Sequence, residues 1–337
     1  MENTSSINSK PASSNMQTLE NFQALISQKI EGFCRKNGEE RILQPVNYIL
    51  QLGGKRVRPL LALLAADAFT DEIEPAVYPA IALEIFHNFT LMHDDIMDNA
   101  PIRRGKPTVH EQWNRDVAIL SGDAMLIQAY QLIIKTKSEC LPAVLQTFNT
   151  TALEVCQGQQ LDMDFQTRTD VSVDEYIEMI RLKTSVLLGG AMKIGAIIGG
   201  ASIEDQNHLY DFAIALGLSF QLWDDYLDTY GDGNQTGKQV GGDIIANKKT
   251  LLSIKALEQA TEEERKIVSG ETVLENTAHK VERVKSIYAS YDVEEFIKSM
   301  TRKYHQTALE KLEALSIATH KKEGILQLVE QLKERTH

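Results

Sequence analysis

The chain is poor in the residues that staple a protein or embed it in a membrane. Its three cysteines, Cys34, Cys140 and Cys156, are widely spaced, form no C-x-x-C pattern and cannot all pair with one another. That pattern indicates neither a disulfide framework nor a zinc site; free, buried thiols in a reducing compartment are expected. Cations are also in deficit, 35 Lys and Arg against 47 Asp and Glu, a formal charge of −12. Such a surface disfavours nucleic acid and anionic membranes unless its cations are gathered in one place. No apolar run is long and clean enough to span a bilayer, since 60–69 is broken by Asp67 and 186–203 by Lys193 and several glycines. Residues 1–16, rich in Ser and Asn, lack the apolar core of a signal peptide. The expectations are a disordered tail over 1–16, a single domain over 17–337, a cytoplasmic location and no stable membrane insertion.

What is present is globular: 43% hydrophobic and 24% charged residues, close to the average of folded soluble domains. Helix-period patterns run from about residue 17 nearly to the end, period-two alternation is scarce, and prolines such as Pro59 and Pro75 stand where helices start. An all-α fold is predicted, one large helical bundle with a central cavity. Two segments, 76–92 and 212–223, are apolar on nearly every face and so belong inside the bundle. Each ends in carboxylates at the same spacing: Asp94, Asp95 and Asp98 after the first, Asp224, Asp225 and Asp228 after the second.

On a helix, positions i, i+1 and i+4 fall within roughly a 100° arc over about one turn, so the three carboxylates of each set crowd together. Like charges so close are unfavourable until cations arrive, and hard oxygen donors with room for water and phosphate suit Mg²⁺ better than zinc. A single copy would read as a solvated helix end. Two identical copies predict carboxylate clusters that face each other across a cavity and hold several ions around a diphosphate, stabilising it as a leaving group.

Positive charge is clustered too. Gly53 and Gly54 precede Lys55, Arg56 and Arg58 just before a helix start, the composition of a phosphate-gripping loop. Arg103 and Arg104 follow Asp98 closely, and Lys238 and Lys248 flank Asp243 around the glycine-rich stretch 231–247, which reads as a lid. Gln221, three residues before Asp224, shares its helical face. His87, on an apolar helix two turns before Asp94, would by itself be a core histidine; Trp223, Tyr226, Cys156 and the methionines read as core.

Seven strings then stand in a recognisable order: LGGKRVRP, HDDIMDNAPIRRGKPTVH, GDAML, GQQLD, the Lys183–Thr184 pair, FQLWDDYLD and GKQVGGDIIANKKT. The chain resembles the trans-isoprenyl diphosphate synthases, or polyprenyl synthetases, most closely the short-chain geranylgeranyl and farnesyl diphosphate synthases. That resemblance implies the isoprenoid synthase fold, a homodimer, and head-to-tail prenyl transfer between isopentenyl diphosphate and an allylic diphosphate. It also implies three Mg²⁺ held by Asp94, Asp95, Asp98, Asp224, Asp225 and Asp228. Arg103, Lys183, Lys238 and Lys248 would bind the allylic diphosphate; Gly54, Lys55, Arg58, His87 and Arg104 would bind isopentenyl diphosphate; Thr184 and Gln221 would lie near the carbocation. The first motif lacks the two extra residues of many bacterial farnesyl synthases, so chain-length control cannot rest on that insertion. Phe89 lies about 7.5 Å up the axis from Asp94 at 1.5 Å per residue, with Phe86 a turn further and the small Thr90 beside it. In the family an aromatic there with a smaller neighbour accompanies geranylgeranyl products. A C20 product is expected, with C15 the alternative. A class I terpene cyclase is disfavoured by LGGKRVRP and the second motif, and a non-catalytic subunit by the full complement of carboxylates and lysines.

Overall fold

In the computed structural model, described for residues 13–231, 240–272, 274 and 276–334, the chain is all-α. Residues 1–12, most of the expected tail, lie outside the described residues; helix α1 (Ser13–Asn37) begins directly after them. Contacts along the chain group into two compact units.

The first unit comprises Met1–Leu141, Ile198–Gly200 and Ile317–Gln331. After α1 come α2 (Gln44–Gln51), α3 (Val57–Asp67) and α4 (Glu74–Met97). A two-residue hairpin follows, β1 (Ile102–Arg103) paired with β2 (Lys106–Pro107), then α5 (Val109–Gln112) and α6 (Arg115–Ile133). Helix α4 is the axis of the unit, packed on α3 and α6. It buries Ala80, Ala82, Leu83, Ile85 and Phe86 almost completely, as an all-round apolar sequence demands; each large side chain so buried contributes about 1.5–3 kcal/mol. Pro75 sits in its first turn, where no N–H is needed, and Pro79 lies one turn inside, where a single backbone bond is forgone. Helix α6 starts at Asn114, whose side chain accepts from the Val117 N–H at 2.9 Å. It can approach α4 because Gly122 has no side chain: a Cβ there would stand 2.2 Å from His93 Nε2.

The second unit comprises Pro142–Ile197, Ala201–Ser316 and Leu332–His337. Its helices are α7 (Leu141–Thr167), α8 (Val173–Ile180), α9 (Val186–Ile198) and α10 (Ile203–Tyr230), then α11 (Gly242–Ile245), α12 (Leu251–Leu257), α13 (Glu262–Val268), α14 (Thr277–Ser290) and α15 (Val293–Glu313). A final helix, α16 (Thr319–Glu334), belongs mainly to the first unit, where Lys321 donates to the Asp67 carbonyl and to Asp71, both at 3.0 Å. Helix α10 packs along α15, and Tyr176, Leu218, Leu222, Ile287 and Ile297 are among the side chains that form the core. Between α8 and α9 the chain makes a π-helical turn, Arg181–Ser185, that carries Lys183 and Thr184. Such turns widen a helix locally and occur often at functional sites.

Four side chains depart from expectation. Cys156 is exposed and Cys140 only partly buried; Cys34 alone is the buried thiol. Met97 and Met163 are exposed rather than core.

Candidate active site

In the first unit, the apolar run of α4 carries its carboxylates to the helix end, where the Asp98 N–H closes the last turn on the Asp94 carbonyl at 2.9 Å. The three are not equivalent. Asp94 is half-buried and Asp98 exposed, whereas Asp95 is 3% exposed and takes a bidentate pair from Arg103, Nε to Oδ2 and Nη2 to Oδ1, each 2.7 Å. The spacing alone implied uncompensated repulsion; Arg103 compensates the middle carboxylate. It can do so because the chain turns off the helix at Asn99, with φ 49°, where the Ala100 N–H closes on the Asp95 carbonyl at 2.9 Å. Just beyond Arg103 the chain reverses in the β1–β2 turn, whose Arg104 and Gly105 both have positive φ, 51° and 73°, the primed-turn geometry of tight hairpins.

The same turn delivers Arg104 to the glycine pair. Its guanidinium donates to the Gly53 carbonyl, and a Cβ on Gly54 would meet that guanidinium at 2.8 Å. Gly54 itself has φ 137°, a conformation other residues rarely adopt. Lys55 is exposed beside it. Arg58 is buried enough that its pKa falls to about 10, with Glu84 opposing the fall and Arg104 adding to it. Burial, then the positive fields of Arg58, Arg104 and Arg103, hold His87 well below the ordinary imidazole range, so it is neutral. The Gly54, Arg58, His87 and Arg104 of the sequence reading therefore share one electrostatic neighbourhood. Further up α4, the Phe89 ring lies 5.5 Å from that of the buried Phe86 and 4.8 Å, edge-on, from His93. The Thr90 hydroxyl is spent on the His87 carbonyl at 2.8 Å.

In the second unit, α10 brings Asp224, Asp225 and Asp228 to its C-terminal turns. Asp225 repeats the behaviour of Asp95: it is 2% exposed and bonded at both oxygens, by the Tyr176 hydroxyl at 2.6 Å and Gln221 Nε2 at 3.3 Å. Burial pushes its pKa up to about 6 against the lowering influence of Tyr176. Asp224 is exposed and Asp228 half-buried. Asp228 accepts the Asp243 N–H at 2.9 Å. Gly241, with φ 78°, makes the turn, and a Cβ on Gly242 would come 3.2 Å from Asp228 Oδ1. Lys248 lies 3.4 Å from Asp243; burial lowers its pKa, but Asp243 and Asp225 outweigh it and the ammonium is stabilised. Lys249 donates to the Phe165 carbonyl at 2.5 Å and to that of Arg168, pinning the segment to the end of α7. Lys238 and the middle of the expected lid, 232–239, lie outside the described residues.

Lys183 Nζ meets Asp162 Oδ2 at 2.6 Å, and the contact depends on Gly158, whose Cβ would fall 2.2 Å from the Lys183 backbone nitrogen. Asp162 and Tyr176 bond candidate site residues, Lys183 and Asp225, without being singled out in the sequence. Asp162 had a signal, its place in GQQLD; Tyr176 had none.

Among the described residues no three metal-ligating side chains converge closely enough to hold an ion on their own. The less buried carboxylates, Asp94, Asp98, Asp224 and Asp228, offer oxygen donors only. Donors of that kind suit Mg²⁺, a hard cation that keeps waters in its shell.

The family described as polyprenyl synthetase matches residues 39–291. A protein of Methanothermobacter thermautotrophicus named short chain isoprenyl diphosphate synthase is 36% identical over 328 residues, 96% of this chain and 99% of its own. The geranylgeranyl diphosphate synthase of Methanosarcina mazei is 38% identical over 278 residues, 82% of this chain and 84% of its own. A crystal structure of a geranylgeranyl pyrophosphate synthase superposes with a TM-score of 0.87 at 43% identity, covering 94% of this chain and 98% of that one. Relatives named geranylfarnesyl diphosphate synthase also match.

Proposed function

The chain belongs to the polyprenyl synthetase family, and from that premise we propose that it is a prenyltransferase joining isopentenyl diphosphate head to tail to an allylic diphosphate. Its main product is geranylgeranyl diphosphate. The observation that carries this reading is the pair of Asp-Asp-x-x-Asp motifs, each ending a buried apolar helix, in a chain that matches this family over residues 39–291. On this reading residues 17–337 act as a single prenyl-synthase domain.

Asp94, Asp98, Asp224 and Asp228 would hold Mg²⁺, with Asp95, bound by Arg103, and Asp225, bound by Tyr176 and Gln221, completing the motifs. The bound metal supplies charge stabilisation to the departing diphosphate. Arg103, Lys183, Lys248 and Lys238 bind that same diphosphate from the protein side. Gly54, Lys55, Arg58, His87 and Arg104 hold isopentenyl diphosphate with its double bond toward the allylic carbon, and neutral His87 acts as a hydrogen-bonding rather than a charged group. Loss of diphosphate leaves a delocalised carbocation; the double bond attacks it, and a proton is then lost, with the departing diphosphate the nearest base. Thr184 and Gln221 lie near the cation. No side-chain nucleophile is needed: the protein supplies a preorganised field and excludes water. The tail grows up α4 until it meets Phe89, backed by Phe86, with Thr90 leaving room that a second aromatic would fill.

The active form is a homodimer, supported by an exposed apolar stripe along and just beyond α6, Ile119, Leu120, Ile127 and Ile134. The few, widely spaced cysteines suit a reducing compartment, and the cytoplasm is the proposed location; no described helix is long and apolar enough to cross a membrane. The test is to incubate the purified protein alone with isopentenyl diphosphate, a short allylic primer and Mg²⁺, and to resolve the products by chain length. A dominant C20 alcohol after dephosphorylation is expected. No condensation at all would refute the activity, and a dominant C15 or C25 would refute the chain length.

A further inference from the structure

We propose that Glu84 is a positioning residue for isopentenyl diphosphate: the buried anion that gathers Arg58 and Arg104 before the substrate arrives. The proposal rests on the reading of Arg58, His87 and Arg104 as that binding site. Glu84 stands on α4 one turn before His87 and is 3% exposed, in a stretch otherwise apolar from Ala80 to Phe86. A carboxylate so placed costs several kcal/mol unless something compensates it.

Half of the compensation is local. Asn88 Nδ2 donates to Glu84 Oε1 at 3.1 Å and to the Glu84 carbonyl at 2.8 Å, which fixes the carboxylate at one end. The other end is open: Glu84 Oε2, Asn88 Oδ1 and Arg58 Nε are all buried without a hydrogen-bond partner. Unpaired donors and acceptors of that kind are rare in folded proteins, and three in one neighbourhood mark a site that a ligand or a small adjustment completes. The remaining compensation is the field of the arginines. Burial raises the pKa of Glu84, while Arg58, the Asn88 hydrogen bond, Arg104 and Arg56 oppose the rise and favour the anion; Glu84 is in turn the carboxylate whose field reaches Arg58. Arg104 also feels Glu84 more strongly than it feels Asp95.

Three guanidinium groups repel one another, and without a central anion they would splay into solvent. Glu84 holds them together around the neutral His87, so that a diphosphate meets assembled donors instead of having to assemble them. The residue touches no reacting atom; its effect reaches the substrate through Arg58 and Arg104.

The experiment compares wild type, Glu84→Gln, Arg58→Ala and the double variant in steady-state kinetics with each substrate varied in turn. Calorimetric titration of isopentenyl diphosphate reads the same ranking without turnover. Glu84→Gln keeps an acceptor for Asn88 and should raise the KM for isopentenyl diphosphate about tenfold while moving that for the allylic substrate less than about twofold. The double variant should be no worse than Arg58→Ala, because the two residues act as a unit. If Arg58→Ala leaves the KM for isopentenyl diphosphate unchanged, the site assignment itself fails. If Arg58→Ala raises it while Glu84→Gln does not, or if Glu84→Gln raises both KM values equally, the role proposed for Glu84 is wrong. Should Glu84→Gln lose its helical circular dichroism, Glu84→Asp takes its place; a smaller rise in the same KM is expected, and no rise overturns the proposal.

Discussion

Replacing Gly158 by alanine adds one methyl group, yet the structure gives it nowhere to go. The new Cβ would lie 2.2 Å from the backbone nitrogen of Lys183 and 2.6 Å from the carbonyl carbon of Leu182. Both obstacles are backbone, so no side chain can swing aside. Ordinary contact requires about 3.5 Å, which means that α7 and the Arg181–Ser185 turn must separate by roughly 1 Å. That separation pulls Lys183 away from Asp162, now 2.6 Å distant, and carries Thr184 with it. Overpacking of this kind costs about 1–3 kcal/mol of stability, and a displacement of about 1 Å at a reacting centre costs on the order of a hundredfold in rate. The assay is kcat/KM for the allylic substrate alongside thermal unfolding. The expected variant remains folded, melts a few degrees lower and turns over about a hundredfold more slowly. A variant within twofold of wild-type turnover would show that the placement of Lys183 does not govern the reaction.

Asp94→Ala and Asp224→Ala should each reduce turnover by orders of magnitude while leaving circular dichroism unchanged, and Mg²⁺ should no longer raise the melting temperature in the presence of inorganic diphosphate; near-normal activity in either would remove the metal assignment. Phe89→Ala should lengthen the product, with Phe86 the next barrier, and an unchanged product distribution at retained activity would exclude Phe89 as a floor. His87 titrates well below its ordinary value of 6.5, so below about pH 6.5 the unfolded chain binds the proton that the folded chain refuses. Stability should therefore be full above that pH and fall as pH drops below it. His87→Gln should flatten the melting temperature between about pH 5.5 and 7; an unaltered slope would mean that His87 is not the group responsible.

The features legible in the sequence are those set within one helix. The apolar run of α4 and the carboxylates closing it are consecutive residues, and Gln221 reaches Asp225 because i and i+4 are neighbours. Contacts made by folding back were not legible. Arg103 finds Asp95 only because the chain turns back at Asn99 and Ala100, and Tyr176 meets Asp225 across 49 residues. Cys156 could have been placed correctly from the sequence. Val144, Phe148, Thr151, Val155 and Gly158 form the buried stripe of α7 at alternating spacings of four and three, and Cys156 falls off it. Glu84 too left a trace, a lone carboxylate in a greasy turn.

Three of the cations proposed for the allylic diphosphate share a habit: Arg103 is clasped by Asp95, Lys183 by Asp162 and Lys248 by Asp243. These positive charges are already neutralised by the pairs, so on the proposed reading loading the site would be an exchange of partners, with carboxylates released as phosphate oxygens take their place. The exchange runs backwards at the end of each cycle. When inorganic diphosphate loosens, every carboxylate is at hand to reclaim its cation, and the energy recovered helps expel a product whose charge would otherwise hold it. On that reading the pairs would speed release, and their loss should appear first as diphosphate inhibition at low concentration rather than as weakened substrate binding.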